Sequence, residues 1–134
     1  MPDPAAAPAS EPRGELVMRA VAMPADTNSN GDVFGGWLMS QMDIGAGMLA
    51  RDVARSRVVT VAVEAMSFVA PVCVGDAVSC YAELLSVGRT SMRISISAWV
   101  SHYSHDLPRR VTDGIFTYVA IDASGRPQPV RRDA

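Results

Sequence analysis

Apolar and polar positions take a helical period in one stretch of the chain. From about Gly36 to Arg55 the apolar residues recur at three- and four-residue spacing, the period of a helix. Elsewhere they alternate or run in short blocks closed by Pro or Gly. The clearest case is Thr90 to Ser101, where Met92, Ile94, Ile96, Ala98 and Val100 alternate with Arg93, Ser95, Ser97, Trp99 and Ser101, the pattern of a half-buried strand. Further strands are predicted over Glu15 to Met23, ended by Pro24, over the Val-rich run Arg57 to Ala70, ended by Pro71, and over Asp76 to Val87, ended by Gly88-Arg89. A last one covers Val111 to Asp122 and is closed by the turn Ala123-Ser124-Gly125-Arg126-Pro127. One long helix and about five long strands predict an α+β domain, a single sheet wrapped against the helix. The domain is expected over residues 14–127. A Pro- and Ala-dominated segment before it, residues 1–13, reads as a disordered tail, and residues 128–134 as a short basic tail. One helix covers only part of such a sheet and leaves strand edges unpaired. A homodimer that continues the sheet removes both liabilities.

Midway along the helix one carboxylate, Asp43, stands among apolar residues. At 100° per residue its neighbours on the same face are Gly36, Met39, Ser40, Ala46, Gly47 and Ala50, nearly all small, so a groove around the carboxylate is expected. Trp37, Leu38, Met42, Ile44, Met48 and Leu49 lie away from it. The other charges are confined to the last turn, with Arg51, Asp52 and Arg55, where the arginines complement the helix dipole.

Ahead of the helix runs Asp26-Thr27-Asn28-Ser29-Asn30-Gly31-Asp32-Val33-Phe34-Gly35-Gly36-Trp37. Without Cβ atoms, Gly35 and Gly36 can take backbone angles closed to other residues and let a ligand lie against the main chain. Their amides, at a helix start, have no intrahelical partner and suit an anion or a developing oxyanion. The same residues also serve plain structure: a Gly pair can be a turn, and an Asp on an apolar helix can bond a neighbouring backbone. The alternating oxygens of Asn28, Asn30 and Asp32 suggest a calcium loop, but the glycine falls between Asn30 and Asp32 and no Glu closes the loop, so that motif is absent.

Composition narrows the chemistry further. The formal net charge of -2 gives no nucleic-acid footprint. All 12 basic residues are Arg, which excludes lysine Schiff-base chemistry and leaves guanidinium groups for phosphate. No secretory signal or transmembrane run is visible, so no membrane partner is expected, and Cys73 and Cys80 read as free thiols of a cytoplasmic protein. His102 and His105 share one polar segment with no carboxylate-rich metal motif, and read as a solvated loop without a metal.

The run from Met23 to Asp43 resembles the YciA-type acyl-CoA thioesterases of the hotdog fold. So do Arg57-Val58-Val59-Thr60-Val61, Pro71-Val72-Cys73-Val74-Gly75-Asp76, Val87-Gly88-Arg89-Thr90-Ser91 and Phe116-Thr117-Tyr118-Val119-Ala120. The likeness spans about Leu16 to Arg126. It implies hydrolysis of acyl-CoA to free coenzyme A and a carboxylic acid, with no resident cofactor, in a homodimer with interfacial sites; members commonly assemble into trimers of dimers. It also implies Asp43 as the catalytic carboxylate, Asn28 as a second catalytic residue from the other side of the interface, and the Gly35 and Gly36 amides as oxyanion hole. For coenzyme A, Arg89, Thr90 and Ser91 offer donors to phosphate, with Thr60, Val61 and Ala62 along the pantetheine arm. Asp43 is expected to activate water, which calls for desolvation because aspartate is a weak base, or to attack directly and form an anhydride. The chain ends soon after Arg132, where related chains often continue into a further helix, and His102 to Arg110 departs from the pattern. Two alternatives are a hotdog hydratase, which would present a histidine near the helix, and a non-catalytic acyl-CoA-binding protein, which would lack Asp43.

Overall fold

The computed structural model describes residues 11–103 and 106–130. Of the segment 1–13 expected to be disordered, residues 1–10 lie outside them, as do His105 and the basic residues at 131–132. Five strands, β1 (Glu15–Val21), β2 (Arg57–Glu64), β3 (Ala77–Val87), β4 (Ser91–Ser101) and β5 (Arg109–Ile121), form one sheet in the order β1-β3-β4-β5-β2, antiparallel throughout. A single helix, α1 (Gly35–Ala54), packs on it. This is the hotdog layout that the resemblance implied.

Helix α1 starts where Phe34 is still extended and ends at Arg55, whose left-handed conformation (φ 55°) lets its N–H bond the Arg51 carbonyl at 2.8 Å. It buries Leu38, Met42, Gly45, Ala46, Ala50 and Ala54, a three-four stripe. Opposite lie Val78, Cys80 and Ala82 of β3, Met92, Ile94 and Ile96 of β4, and Phe116 and Tyr118 of β5. Each fully buried Leu or Met side chain contributes about 1.5–3 kcal/mol. The small helix residues set the approach: a Cβ on Gly45 would stand 2.7 Å from Val17 Cγ2 of β1. Ala46 and Ala50, expected to line an open groove beside Asp43, are instead buried beneath the helix, because the sheet needs small residues there to come close. Ile44 and Met48, on the outer face, are half exposed.

Strand β2 is shorter than expected, stopping at Glu64 before Ala65 turns to φ 61°. It pairs with β5 alone, and its outer edge takes no partner among the described residues. Val59, Val61 and Val63 stay 41%, 55% and 39% exposed along it. At the other end of the chain, Gln128 and Val130 donate N–H bonds to Ala120 and Arg89 at 2.9 and 2.8 Å, and Val130 is buried, so the packed body continues three residues past Pro127.

Both cysteines are free, Cys73 exposed and Cys80 buried. Burial pushes the Cys80 thiol from an ordinary 9.0 up to about 12. The folded value lies above the unfolded one, so the thiol's contribution to stability is full below pH 9 and is lost as pH rises towards about 12. The stability difference between the native chain and Cys80→Ala should therefore shrink across that window, as read from denaturation midpoints at successive pH values; a constant difference would contradict the burial.

Candidate active site

Pairing of β2 with β5 sets Thr60 opposite Tyr118, and a register shift after Thr60, at Val61, marks a bulge there. Both hydroxyls converge on the helix. Thr60 Oγ1 and Tyr118 OH each donate to Asp43 Oδ1 at 2.7 Å, and Tyr118 OH also lies 2.9 Å from the Asp43 backbone carbonyl. Asp43 Oδ2 takes no hydrogen bond from the described residues. Two donors thus fix the rotamer of the half-buried carboxylate and leave one oxygen to act. Burial, then the hydrogen bond and charge of Asp43, hold the Tyr118 phenol protonated far above its ordinary range, against a smaller opposing effect of Thr60. Tyr118 is therefore a permanent donor. It went unassigned in the sequence, although the inward phase of Phe116, Tyr118 and Ala120 points a phenol at the helix, where it needs an acceptor.

At the helix start the first intrahelical bond runs from Leu38 N–H to the Phe34 carbonyl, so the amides of Gly35, Gly36 and Trp37 stand ahead of the ladder. Neither Gly35 nor Gly36 has positive φ; the loop's left-handed position is Gly31, at φ 84°. The Gly pair serves space, not backbone angle, correcting the expectation from sequence. A Cβ on Gly36 would meet nothing within 4 Å, and one on Gly35 would touch the Phe68 ring at 3.4 Å. Asn28 organises the preceding loop: its Oδ1 accepts from the Asn30 and Asp32 N–H groups at 2.9 and 3.2 Å, which leaves the side-chain amide as the group available to a ligand.

Asp43 stands eight positions after Gly35 on one helix, about 12 Å along its axis at 1.5 Å per residue. A single carbonyl group cannot meet both, since reacting atoms must come within about 3–3.5 Å. One chain thus carries the candidate carboxylate and the candidate amides well apart. The residues expected to bind coenzyme A lie at the same end of the sheet as Asp43: Ser91 pairs with Val119 of β5, and Val119 pairs with Val59 beside Thr60. Arg89 is exposed in the β3–β4 turn, while Val61 and Ala62 are exposed on β2. Thr60 has its hydroxyl on Asp43, so it joins the carboxylate as well as the strand edge.

His102 is no simple solvated loop residue. Its Nδ1 lies 2.7 Å from Oδ1 of the buried Asp76, whose Oδ2 accepts the Cys73 N–H at 2.9 Å. The pair ties the Val72–Asp76 turn to the end of β4, a contact hidden from sequence because its members stand 26 positions apart.

The thioesterase superfamily profile matches residues 30–102. The acyl-CoA thioester hydrolase YciA of Salmonella typhimurium is 55% identical over 122 residues, covering 89% of this chain and 92% of that protein. A hexameric thioesterase from Yersinia pestis superposes with TM-score 0.85 at 52% identity, over 90% of this chain and 98% of the other. The hexameric broad-specificity acyl-coenzyme A thioesterase HI0827 does so with TM-score 0.86 at 48% identity, over 92% and 85%; it has also been solved with an Asp replaced by Ala.

Proposed function

We propose that this chain, which belongs to the YciA-type acyl-CoA thioester hydrolases of the thioesterase superfamily, hydrolyses acyl-CoA thioesters to free coenzyme A and a carboxylic acid at a site shared by two copies. The observation that carries the chemistry is the Asp43 carboxylate, held at Oδ1 by two hydroxyls with Oδ2 left over, on a helix whose first amides are open. The thioester carbonyl oxygen sits against the Gly35 and Gly36 amides, which take the charge that develops as its carbon becomes tetrahedral. Asp43 Oδ2 takes a proton from water as that water attacks, or attacks the carbon itself. The C–S bond then breaks and the coenzyme leaves as a thiolate that takes up a proton; on the direct route water afterwards hydrolyses the acyl–Asp43 anhydride, which frees the carboxylic acid and restores the carboxylate. Both routes run through Oδ2, and neither needs a resident cofactor.

The spacing of Gly35 and Asp43 along α1, eight helical steps or about 12 Å of axial rise, supports the sharing. A two-fold axis that pairs the outer edge of β2 with its copy lays the two helices side by side and brings the amides and Asn28 of one chain to Asp43 of the other. Such a pairing also covers Val59, Val61 and Val63. Hexameric relatives support a trimer of these dimers. Arg89, Thr90, Ser91 and the Thr60–Ala62 edge hold the coenzyme, and the free thiols fit a reducing cytoplasm. The test is a thiol-release assay on a panel of acyl-CoAs: free coenzyme A is expected, whereas tight binding without release would make the protein a sensor.

A further inference from the structure

Past β5 the chain folds back on itself. Asp122 Oδ1 accepts hydrogen bonds from the Ser124 N–H, the Ser124 hydroxyl and the Arg126 N–H at 2.9, 2.8 and 3.0 Å, and Gly125 supplies the left-handed residue of the turn at φ 86°. The returning segment runs beside the end of β5. There the Gln128 N–H bonds the Ala120 carbonyl at 2.9 Å, the Val130 N–H bonds the Arg89 carbonyl at 2.8 Å, and the Val130 side chain is buried in the core. We propose that this strap, Asp122 to Val130, sets the Arg89–Ser91 turn for the phosphate groups of coenzyme A, with Val130 as a positioning residue, an inference that rests on the hydrolytic reading and the coenzyme site above.

A turn that receives phosphate has to keep its own carbonyl oxygens, which carry partial negative charge, away from the anion. In this turn they are engaged by donors of the same chain. The Arg89 carbonyl accepts from the Val130 N–H, the Thr90 carbonyl from the Ala120 N–H at 2.9 Å, and the Ser91 carbonyl from the Gly88 N–H at 2.8 Å. Two of these bonds depend on the strap: Val130 belongs to it, and Ala120, the donor to Thr90, is gripped by Gln128. The backbone is thereby fixed while the Arg89 side chain stays exposed, with no carboxylate partner among the described residues. A guanidinium on an ordered turn has less freedom to lose when it meets a phosphate than one on a loose loop. The buried Val130 side chain is the anchor that keeps the strap seated.

The experiment uses two thioesters that share the scissile bond and the pantetheine arm: an acyl-CoA, and the matching acyl-pantetheine, which lacks every phosphate. Val130→Asn puts a polar amide in place of the buried anchor, and Asp122→Ala takes the acceptor out of the turn. Each should raise KM for the acyl-CoA about five- to tenfold, the scale of one hydrogen bond to a charged group, with kcat near native and hydrolysis of the acyl-pantetheine unchanged. Val130→Ile should behave as the native chain. Hydrogen bonds from the Arg126 backbone and then the Ser124 side chain hold the Asp122 carboxyl below the ordinary carboxylate range, so it is charged at neutral pH. By charge alone its removal could only favour an anion, and a raised KM therefore reports position. Arg89→Ala should raise KM to a similar extent, and adding Val130→Asn to it should change little further, since both act through one guanidinium. A native KM in both strap variants would overturn the proposal, and so would equal losses on the two thioesters, the result expected of a segment that only supports the fold. Should Val130→Asn not fold, Asp122→Ala carries the same comparison. Arg89→Ala with a native KM would take the turn out of the coenzyme site and overturn the proposal at its premise. A native chain that releases no thiol would defeat the hydrolytic reading instead, and calorimetry with coenzyme A and with pantetheine then reads the same contrast as affinity.

Discussion

Replacing Asp43 with Asn should lower turnover about a hundred- to ten-thousandfold, the range that a lost general base commands, while coenzyme A still binds. The substitution is nearly isosteric, and the amide oxygen can keep both hydrogen bonds that Thr60 and Tyr118 now give to Oδ1. What disappears is Oδ2 as a base or nucleophile, whose place an NH2 group takes. A smaller loss separates acting from holding. Tyr118→Phe removes one donor to the carboxylate and should cost about tenfold in kcat, the scale of one hydrogen bond to a charged group, with KM nearly unchanged. Steady-state thiol release, with coenzyme A affinity measured alongside, reads both variants. Near-native turnover in Asp43→Asn would refute the assignment.

Two inactive variants should restore each other when refolded together. Asn28→Asp keeps the oxygen that organises the loop and removes the amide donor, so it attacks the proposed role without dismantling the segment. Mixed with Asp43→Asn, random pairing makes half of all dimers heterodimers. In each of these one site collects both lesions and the other collects none. About a quarter of all sites should then be active, a consequence of two-fold symmetry, against almost none in either parent. Size-exclusion chromatography with mass measurement establishes that mixed assemblies have formed. Mixed assemblies without recovered hydrolysis would place Asn28 and Asp43 in the same chain's site and overturn the shared-site reading.

Much of this architecture is legible from local pattern. The alternation in β4 and the small-residue helix each announce their element, because side-chain phase and burial are set within a few neighbours. The outer limits are less so. Arg109 and Arg110 read as loop, yet they pair with Val100 and Trp99 and open β5; a charged strand end is not marked by hydrophobicity. Val-rich sequence also carried the predicted β2 on to Ala70, whereas the backbone leaves the sheet at Ala65 and is refastened by Thr112 and Val111. At the site, Asp43 and the Gly pair stand out because they break the pattern around them. Tyr118 does not, since a tyrosine on the inward phase of a strand looks like core. Its partner is 75 residues away, brought near only by the fold.

Gly36 has a consequence for how the protein divides its fitness between folding and working. Its backbone is helical without positive φ, and a methyl group there would meet nothing within 4 Å of its own chain. For the fold alone alanine is the better residue, by up to about 1 kcal/mol in a helix interior and less at this first turn. On the proposed reading, the chain forgoes that stability to keep a bare stretch of main chain facing outward. Selection for thermal tolerance alone would tend to fill the gap and close the approach to the amides, so a more robust protein of this lineage would have to find its added stability elsewhere.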